Sequence, residues 1–496
     1  MKKCLIIGSG LGGLSCGAIL AKNGYEVTIL EQGRQIGGCL QCFQRGTATF
    51  DTGMHYIGSV DKGQVLQLFL KYLGVYSHIT LSRLDTNGYD VVSFKRKHYK
   101  FANGKENFVE TLASEFPQSR KELEEYYDLV KRVSSSMAMH SLNRHTDINV
   151  STAYMTKSVN EVIESVVSNP TLQQILVGIQ PLYAGVKDKT PFSTHALIHD
   201  SFEQSAYRIV GGSGCVAKAL TEEITRLGGQ VLTNQKVERI ECNDNQATAA
   251  VTSSGNVFSS DVLISAIPPA NTLKLIDSPL VRPAYRKRIE SYQNTTSVFV
   301  VYLKFKKNSL KYMNHNLYYY RDKSVWGCEE YDVTSWPKFL LYMHFCHKEN
   351  PEYADTGKIL TYMNYDEVRR WEGTCVGHRG EDYETFKQKK AELLIDALEE
   401  EIPDIRYYIE DYYTSTPLTY YDYTGIPDGA MFGIGKNVQT IGLNSISCRT
   451  SIPNLLLCGQ SITSHGMFGV IAGSFIACSE ILSKETIFSQ LELVGQ

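Results

Sequence analysis

"CLIIGSGLGGLSCGAILAKNGYEVTILE", residues Cys4 to Glu31, decides the fold. Cys4 to Ile7 is a short apolar strand. Gly8-Ser9-Gly10-Leu11-Gly12-Gly13 follows it at the spacing G-x-G-x-x-G. Leu14 to Lys22 reads as a helix stopped by Gly24, and Val27 to Leu30 as a second strand ending in Glu31. Strand, glycine turn, helix, strand and acid, in that order, make a Rossmann unit. Gly8 makes the tight turn, Gly10 lets a pyrophosphate reach the backbone, and Gly13 lets the helix pack on the sheet. The helix N-terminus offers free N–H groups and a positive dipole end, and Leu11 and Gly12 of the glycine turn join the expected cofactor set. Glu31 is placed to accept ribose hydroxyls. An acid there disfavours a 2′-phosphate, so the unit suits the adenosine half of FAD or NAD rather than NADP.

A signal peptide is the competing reading of the N-terminus, which has two lysines, an apolar run and small residues. Secretion has no need of the glycine spacing. The 496 residues imply two or three domains, and 43% hydrophobic with 21% charged residues reads as soluble and globular. A net charge of -3 gives no basic field for nucleic acid. Twelve scattered cysteines fit a reducing, cytoplasmic setting better than a secreted disulfide scaffold. No run has the length of a spanning helix; Met467 to Cys478 is broken by Gly469 and Gly473. Peripheral contact with a membrane is the association left open.

Later segments extend the same sheet. Val210 to Glu241 reads as a glycine turn, a helix with Val216, Leu220, Ile224 and Leu227 on one face, then strands at Val231–Asn234 and Lys236–Glu241. "DVLISAIPP", Asp261 to Pro269, is a buried strand stopped by prolines. Leu455 to Cys458 is another, followed by the turn Gly459-Gln460 and a helix opened by Gly466-Met467-Phe468-Gly469. The fold class is therefore α/β: a Rossmann-type domain from 1–61, 201–279 and 431–496, interleaved with an α+β domain from 62–200 and 280–430. The first insertion shows helical periodicity over Glu106–Glu115, Arg120–Met137 and Val159–Ala184. The second shows strands at Ser297–Phe305 and Lys338–Phe345 and a helix over Asp382–Glu401.

After Glu31 comes Gln32-Gly33-Arg34-Gln35-Ile36-Gly37-Gly38, and then "FDTGMHYIG", Phe50 to Gly58. Both resemble the flavoprotein group that includes amine oxidases, phytoene desaturases and the GDP-dissociation inhibitors. The resemblance implies FAD. Gly37 and Gly38 would let the chain pass the flavin diphosphate, with the Phe-Asp-x-Gly segment under the isoalloxazine. It also implies that Val237 holds adenine through its backbone with Ala266 beside it. Gln32, Cys39, Gly459, Gln460, Phe468 and Gly469 complete the expected cofactor set, the last helix aiming its N-terminus at the flavin.

"GGCLQCF", "TPLTYYDYTGIPDGAMFGI" (Thr416 to Ile434) and "SIPNLLLCGQ" followed by "HGMFGVIAG" resemble one branch of that group, the retinol saturases and carotenoid isomerases. Cys39 stands where amine oxidases usually carry Arg, and Gln460 where they carry an acid. Unlike the GDP-dissociation inhibitors, the chain keeps its phosphate-loop glycines. The resemblance covers the FAD domain and the segment before its last strand. It is specific for cofactor and branch and weak for substrate.

The resemblance implies an FAD-dependent oxidoreductase that saturates or desaturates C=C bonds of a retinoid- or carotenoid-like polyene or related lipid through flavin N5. NAD(P)H is a candidate external electron donor. The alternatives are a polyene cis-trans isomerase using reduced FAD and, further off, a non-catalytic carrier of prenyl or lipid groups. Saturation needs a proton donor. His55 and Tyr56, beside the flavin loop, are candidates. So is Tyr421, in the Tyr420–Tyr423 cluster at the expected substrate mouth, and so is His465, before the last helix. Each has a plainer reading, as a flavin-orienting group or an aromatic wall, and with 31 tyrosines and 19 phenylalanines one tyrosine weighs little. No metal is expected: His195/His199 and His344/His347 lack a third ligand. Cys39-x-x-Cys42 lacks both the second pair of a zinc site and the helix-start context of a thiol redox pair. It reads as the floor of the flavin site, with Cys42 incidental.

Overall fold

In the computed structural model five short apolar strands form a parallel sheet: β1 Lys3–Ile7, β2 Glu26–Leu30, β3 Gln230–Leu232, β4 Val262–Ser265 and β5 Leu455–Leu457, in the order β3-β2-β1-β4-β5. The structure describes residues 1–347, 349–440 and 446–495; residue 348, and 441–445 and 496 within the expected segment 431–496, lie outside the described residues. Strands of this kind are apolar throughout because helices cover both faces of a parallel sheet. The helices are α1 Leu11–Lys22, α2 Gly214–Arg226 and α3 Gly466–Leu482. α1 packs on both others. A Cβ at Gly13 would stand 2.0 Å from the Gly8 carbonyl oxygen, so only glycine lets the helix start this close to the turn. Ser474 Oγ of α3 donates to the Gly12 carbonyl at 3.3 Å. α2 buries Val216, Leu220 and Ile224, the expected stripe, while Leu227 caps its end half-buried.

Of the remaining strands, some form three smaller sheets and seven build a second large sheet in the order 409–415, 297–305, 350–363, 339–347, 316–320, 90–94, 97–101. Its pairs are antiparallel except for 316–320 with 90–94. Ser297–Phe305 is buried on both faces. Val298, Val300 and Tyr302 enter one core, and Phe299, Val301, Leu303 and Phe305 another. The period-two alternation of a strand makes that division. Helix Glu381–Glu399 closes the second core with Leu394, Ile395 and Leu398.

Three expectations change. The helix read over Val159–Ala184 is three pieces: Val159–Val166, Pro170–Leu176 and a 3₁₀ turn at Gln180–Tyr183. Pro170 has no N–H to continue the first helix, and Asn169 caps the second by accepting from the N–H groups of Thr171 and Leu172. The first insertion also carries the hairpin Asp90–Phe94/Lys97–Phe101. Its turn puts Lys95 and Arg96 at φ 52° and 62°, with none of the Asn-Gly chemistry that marks such turns in sequence. Helix Val65–Tyr72 buries Leu66, Phe69 and Leu70 in the core of the parallel sheet, across the boundary expected at 62.

Candidate active site

The phosphate loop and the second glycine pair are stitched together. Gly8 N–H donates to the Leu30 carbonyl at 2.8 Å and Gly37 N–H to the Ser9 carbonyl at 3.0 Å. Gly38, at φ 56°, lies so close that a Cβ there would stand 3.1 Å from Gly10 Cα, whereas a Cβ at Gly10 would meet nothing within 4 Å. Gly10 therefore faces open space. That space is a cavity of about 320 Å³. Gly8, Gly10, Leu11, Gly12, Gly38 and Cys39 form one side of it, and Glu31, Gln32, Val237 and Ala266 another. Gly459 and Gln460 close it. Gly13 and Gly37 line no part of it; they serve packing and the turn.

Glu31 accepts from Ser9 N–H at 3.0 Å, Ser9 Oγ at 2.6 Å and Gly33 N–H at 2.7 Å. Its carboxylate keeps acceptor capacity for ribose hydroxyls. A glycine cradle opening on a cavity, with an acid at the far strand end, fits an adenine dinucleotide. Lys236 and Asn271 also line it; the sequence reading had not singled them out.

A second cavity, of about 200 Å³, meets the first at Leu11, Cys39 and Gln460, which line both. Its walls are apolar: Leu182, Phe202, Leu341, Leu360, Met431 and Phe468, with Gly469 beside them. His55, Tyr56 and His465 reach it, and Tyr421 does not. Tyr421 instead packs its ring 5.8 Å from that of Tyr365, against the core under helix Glu381–Glu399. Consecutive residues of helix Pro417–Thr424 project about 100° apart. Tyr420 therefore takes the cavity position, donating to the Thr52 carbonyl at 3.2 Å.

The three cavity candidates differ in what holds them. His465 precedes α3, stacks on Phe432 with ring centroids 4.2 Å apart, and donates from Nε2 to the Leu182 carbonyl at 3.1 Å. Burial and the nearby Lys436 ammonium lower its pKa to about 4. It is a neutral imidazole with its N–H committed. Tyr56 donates to Asp90 Oδ2 at 2.8 Å and lies 2.7 Å from the Tyr318 hydroxyl. Asp90 also accepts from Asn316 Nδ2 at 2.6 Å, and Asn316 Oδ1 accepts from Arg208 at 2.8 Å. His55 accepts at Nδ1 from Lys358 Nζ at 3.2 Å, and Lys358 also donates to the Asp51 carbonyl. Burial, then the Lys358 and Arg208 charges, push His55 well below the usual histidine range.

Asp90 carries a pH signature. Burial raises its pKa to about 7, against the pull of its Asn316 and Tyr56 hydrogen bonds and the Arg208 charge. Between the ordinary aspartate pKa and about 7 the folded protein keeps a proton that the unfolded chain has lost, so this group makes stability fall as pH rises through that window. We expect Asp90→Asn to flatten the fall. The melting-temperature loss between about pH 5 and pH 8 should shrink by a few degrees in differential scanning fluorimetry.

Both thiols of "GGCLQC" are free. Cys39 sits where the two cavities meet. Cys42 Sγ donates to Asp51 Oδ1 at 3.2 Å and accepts from Gly214 N–H at 3.3 Å, and the same Asp51 oxygen accepts from Ser213 N–H at 2.6 Å. Cys42 thus fastens the hairpin Cys42–Arg45/Ala48–Asp51 to the start of α2, a role beyond the incidental one expected. Burial pushes the Cys39 thiol up to about 11. Burial and the Asp51 carboxylate push Cys42 up to about 12. Neither is a thiolate at neutral pH, so neither is poised for exchange. Cys42→Ser should keep flavin absorbance and turnover and lose about 1 kcal/mol of stability in urea unfolding.

His195 and His199 are internal hydrogen-bonding groups: Tyr126 and Tyr183 hydroxyls lie 2.7 and 2.9 Å from the two nitrogens of His195. Among the described residues no group of three or more His, Cys, Asp or Glu is placed to hold a metal, and no helix is long and apolar enough to cross a membrane. Lys358 and Asp90 were missed in sequence. Their signal was available, a lone charge inside the apolar runs "GKILTYM" and "DVVSF".

The flavin containing amine oxidoreductase family model matches residues 11–482, and the chain belongs to that family. It is an FAD-dependent oxidoreductase with the family's FAD-binding fold. Its sequence is 28% identical to the all-trans-retinol 13,14-reductase of Rattus norvegicus, over 99% of this chain and 87% of that protein. It is 22% identical to the chloroplastic prolycopene isomerase 1 of an Oncidium hybrid cultivar, over 97% of this chain and 84% of that protein. Among solved structures, an oxidoreductase from Methanosarcina mazei matches with a TM-score of 0.67 at 17% identity, over 96% of this chain and all of that one, a likeness of fold.

Proposed function

We propose that this enzyme adds hydrogen to, or removes it from, a C=C bond of a conjugated polyene or related lipid of retinoid or carotenoid type. The observation that carries the reading is the apolar cavity meeting the glycine cradle at Leu11, Cys39 and Gln460. The names of the relatives, a retinol reductase and a carotenoid isomerase, agree with it.

When bound and reduced, FAD supplies a hydride equivalent at N5. The chain's own residues do the rest. Gly10 and Gly38 admit the pyrophosphate, Glu31 takes the ribose hydroxyls, and the Val237 backbone with Ala266 takes the adenine. Leu11, Cys39 and Gln460 flank the passage between the cavities, with Gly469 on its apolar side. The N–H groups that open α3 offer a positive dipole end to negative charge. Leu182, Phe202, Leu341 and Leu360 exclude water and hold an extended apolar chain. NAD(P)H supplies electrons from solution. In the same reading the chain divides into an FAD unit around the parallel sheet and a substrate unit around the seven-stranded one. The substrate is lipophilic, and the enzyme takes it at a membrane surface.

Product mass tests this. The enzyme is reduced anaerobically with NAD(P)H or dithionite and incubated with a panel of retinoids and carotenoids. A product two mass units heavier supports saturation. A product of unchanged mass and altered geometry replaces the reading with isomerisation, and bound FAD with no altered polyene from either the reduced or the oxidised enzyme removes both.

A further inference from the structure

Lys358 is 1% exposed, in the middle of a strand buried between two cores. Among the described residues it has no carboxylate within ion-pair distance. Its Nζ instead donates to the Asp51 carbonyl and to His55 Nδ1, with the Tyr302 ring centroid 5.2 Å away. An ammonium has donors only, so His55 Nδ1 must be the acceptor and the His55 proton sits on Nε2. His55 lies deep in the protein yet keeps partial exposure, because the apolar cavity opens beside it. The Met54 backbone makes a further hydrogen bond to the His55 ring, opposing the fall in its pKa. A buried cation thus stands behind a neutral imidazole that lines the substrate cavity.

We propose that Lys358 and His55 form a two-residue proton relay into that cavity, with His55 as the catalytic acid and Lys358 as the positioning and proton-supplying residue behind it. The inference rests on the alkene reduction proposed above. FAD, when bound and reduced, would supply a hydride equivalent to one alkene carbon, leaving the displaced electron pair at the other. That carbon forms its C–H bond as the Nε2–H bond of His55 breaks. Nδ1 takes a proton from the Lys358 ammonium in the same step. His55 ends neutral with its proton on Nδ1, and Lys358 ends as an amine. The imidazole therefore never carries the charge that burial and its cationic neighbours disfavour.

Several groups face Lys358 besides His55. Asp51 and Cys42 lie on the hairpin, Arg208 on strand Ala206–Val210, and the Tyr302 hydroxyl ring on the adjoining strand. Burial and Arg208 lower the Lys358 pKa to about 8, while Asp51 and Cys42 oppose them. A charged Lys358 is needed for the relay, so the alkene-reducing rate should fall as pH rises past about 8.

Two readouts on the FAD-loaded enzyme test it. In ¹⁵N-histidine NMR at neutral pH, with His55→Phe for assignment, the relay requires an unprotonated Nδ1 and a protonated Nε2 at His55. A proton on Nδ1 overturns it. Lys358→Arg keeps a cation that cannot release its proton. It should keep FAD absorbance and melting temperature, lower polyene-driven reoxidation at least tenfold, and abolish the alkaline decline. Lys358→Arg with the wild-type rate and an unchanged alkaline limb overturns the relay. Should Lys358→Arg unfold, Lys358→Gln in the same pH series decides by the same two outcomes. A wild-type enzyme that no polyene reoxidises overturns the alkene chemistry and the relay with it. The His55 tautomer separates that failure from a relay that fails alone.

Discussion

Gly38→Val should yield a folded protein that is colourless after purification. Two effects add at this position. Gly38 sits at φ 56°, a left-handed conformation that costs an L-residue about 1–2 kcal/mol and a β-branched one more. Its Cβ would also stand 3.1 Å from Gly10 Cα, and valine's two methyls would push the loop into the space where a pyrophosphate must pass. Together they should weaken FAD binding by about 100-fold or more, since roughly 1.4 kcal/mol is a factor of ten. Flavin absorbance per protein and equilibrium titration with FAD check it. Retention of stoichiometric FAD in Gly38→Val would mean that the second glycine pair does not border the cofactor.

His55→Phe should give the opposite split, with FAD kept and turnover lost. Phenylalanine fills the ring's place in the cavity wall but carries no N–H. Removal of a general acid costs about 10²- to 10⁴-fold in rate. We expect a loss in that range in the reoxidation of reduced enzyme by a polyene, with a flavin spectrum near wild type and a melting temperature lowered by the acceptor taken from Lys358. The parallel change at Tyr56, Tyr56→Phe, should cost less, because that hydroxyl is already shared between Asp90 and Tyr318. Equal losses at both positions would shift the donor role toward Tyr56.

The nucleotide half of the molecule was legible in sequence because glycine has few substitutes where φ is positive or a Cβ has no room. Gly8, Gly13 and Gly38 each mark such a point. Their spacing alone set the order of strand, turn and helix. The substrate half was read less well, for identifiable reasons. Periodicity ran straight through Pro170, although a proline with a capping Asn before it restarts a helix. Tyr420 and Tyr421 are the same residue type one step apart, and only the packing of helix Pro417–Thr424 decides which faces the cavity. Lys358 and His55 stand 303 residues apart, and only the approach of strand Asn350–Met363 to the hairpin brings them together. Cys39 and Cys42 show the converse. The spacing taken alone suggests redox chemistry, which the sequence context already argues against; burial pushes the Cys39 thiol up, and burial with the Asp51 carboxylate does so for Cys42.

The apolar cavity beside the FAD cradle is proposed to receive an alkene. The most direct measurement is anaerobic stopped-flow absorbance of the flavin, with enzyme reduced beforehand and mixed with retinol or a carotene, and oxidised enzyme mixed with an amine in the parallel run. The polyene should restore the oxidised flavin band, and the amine should leave the oxidised band unchanged. A reduced flavin indifferent to every polyene, with an oxidised flavin bleached by an amine, would contradict that proposal.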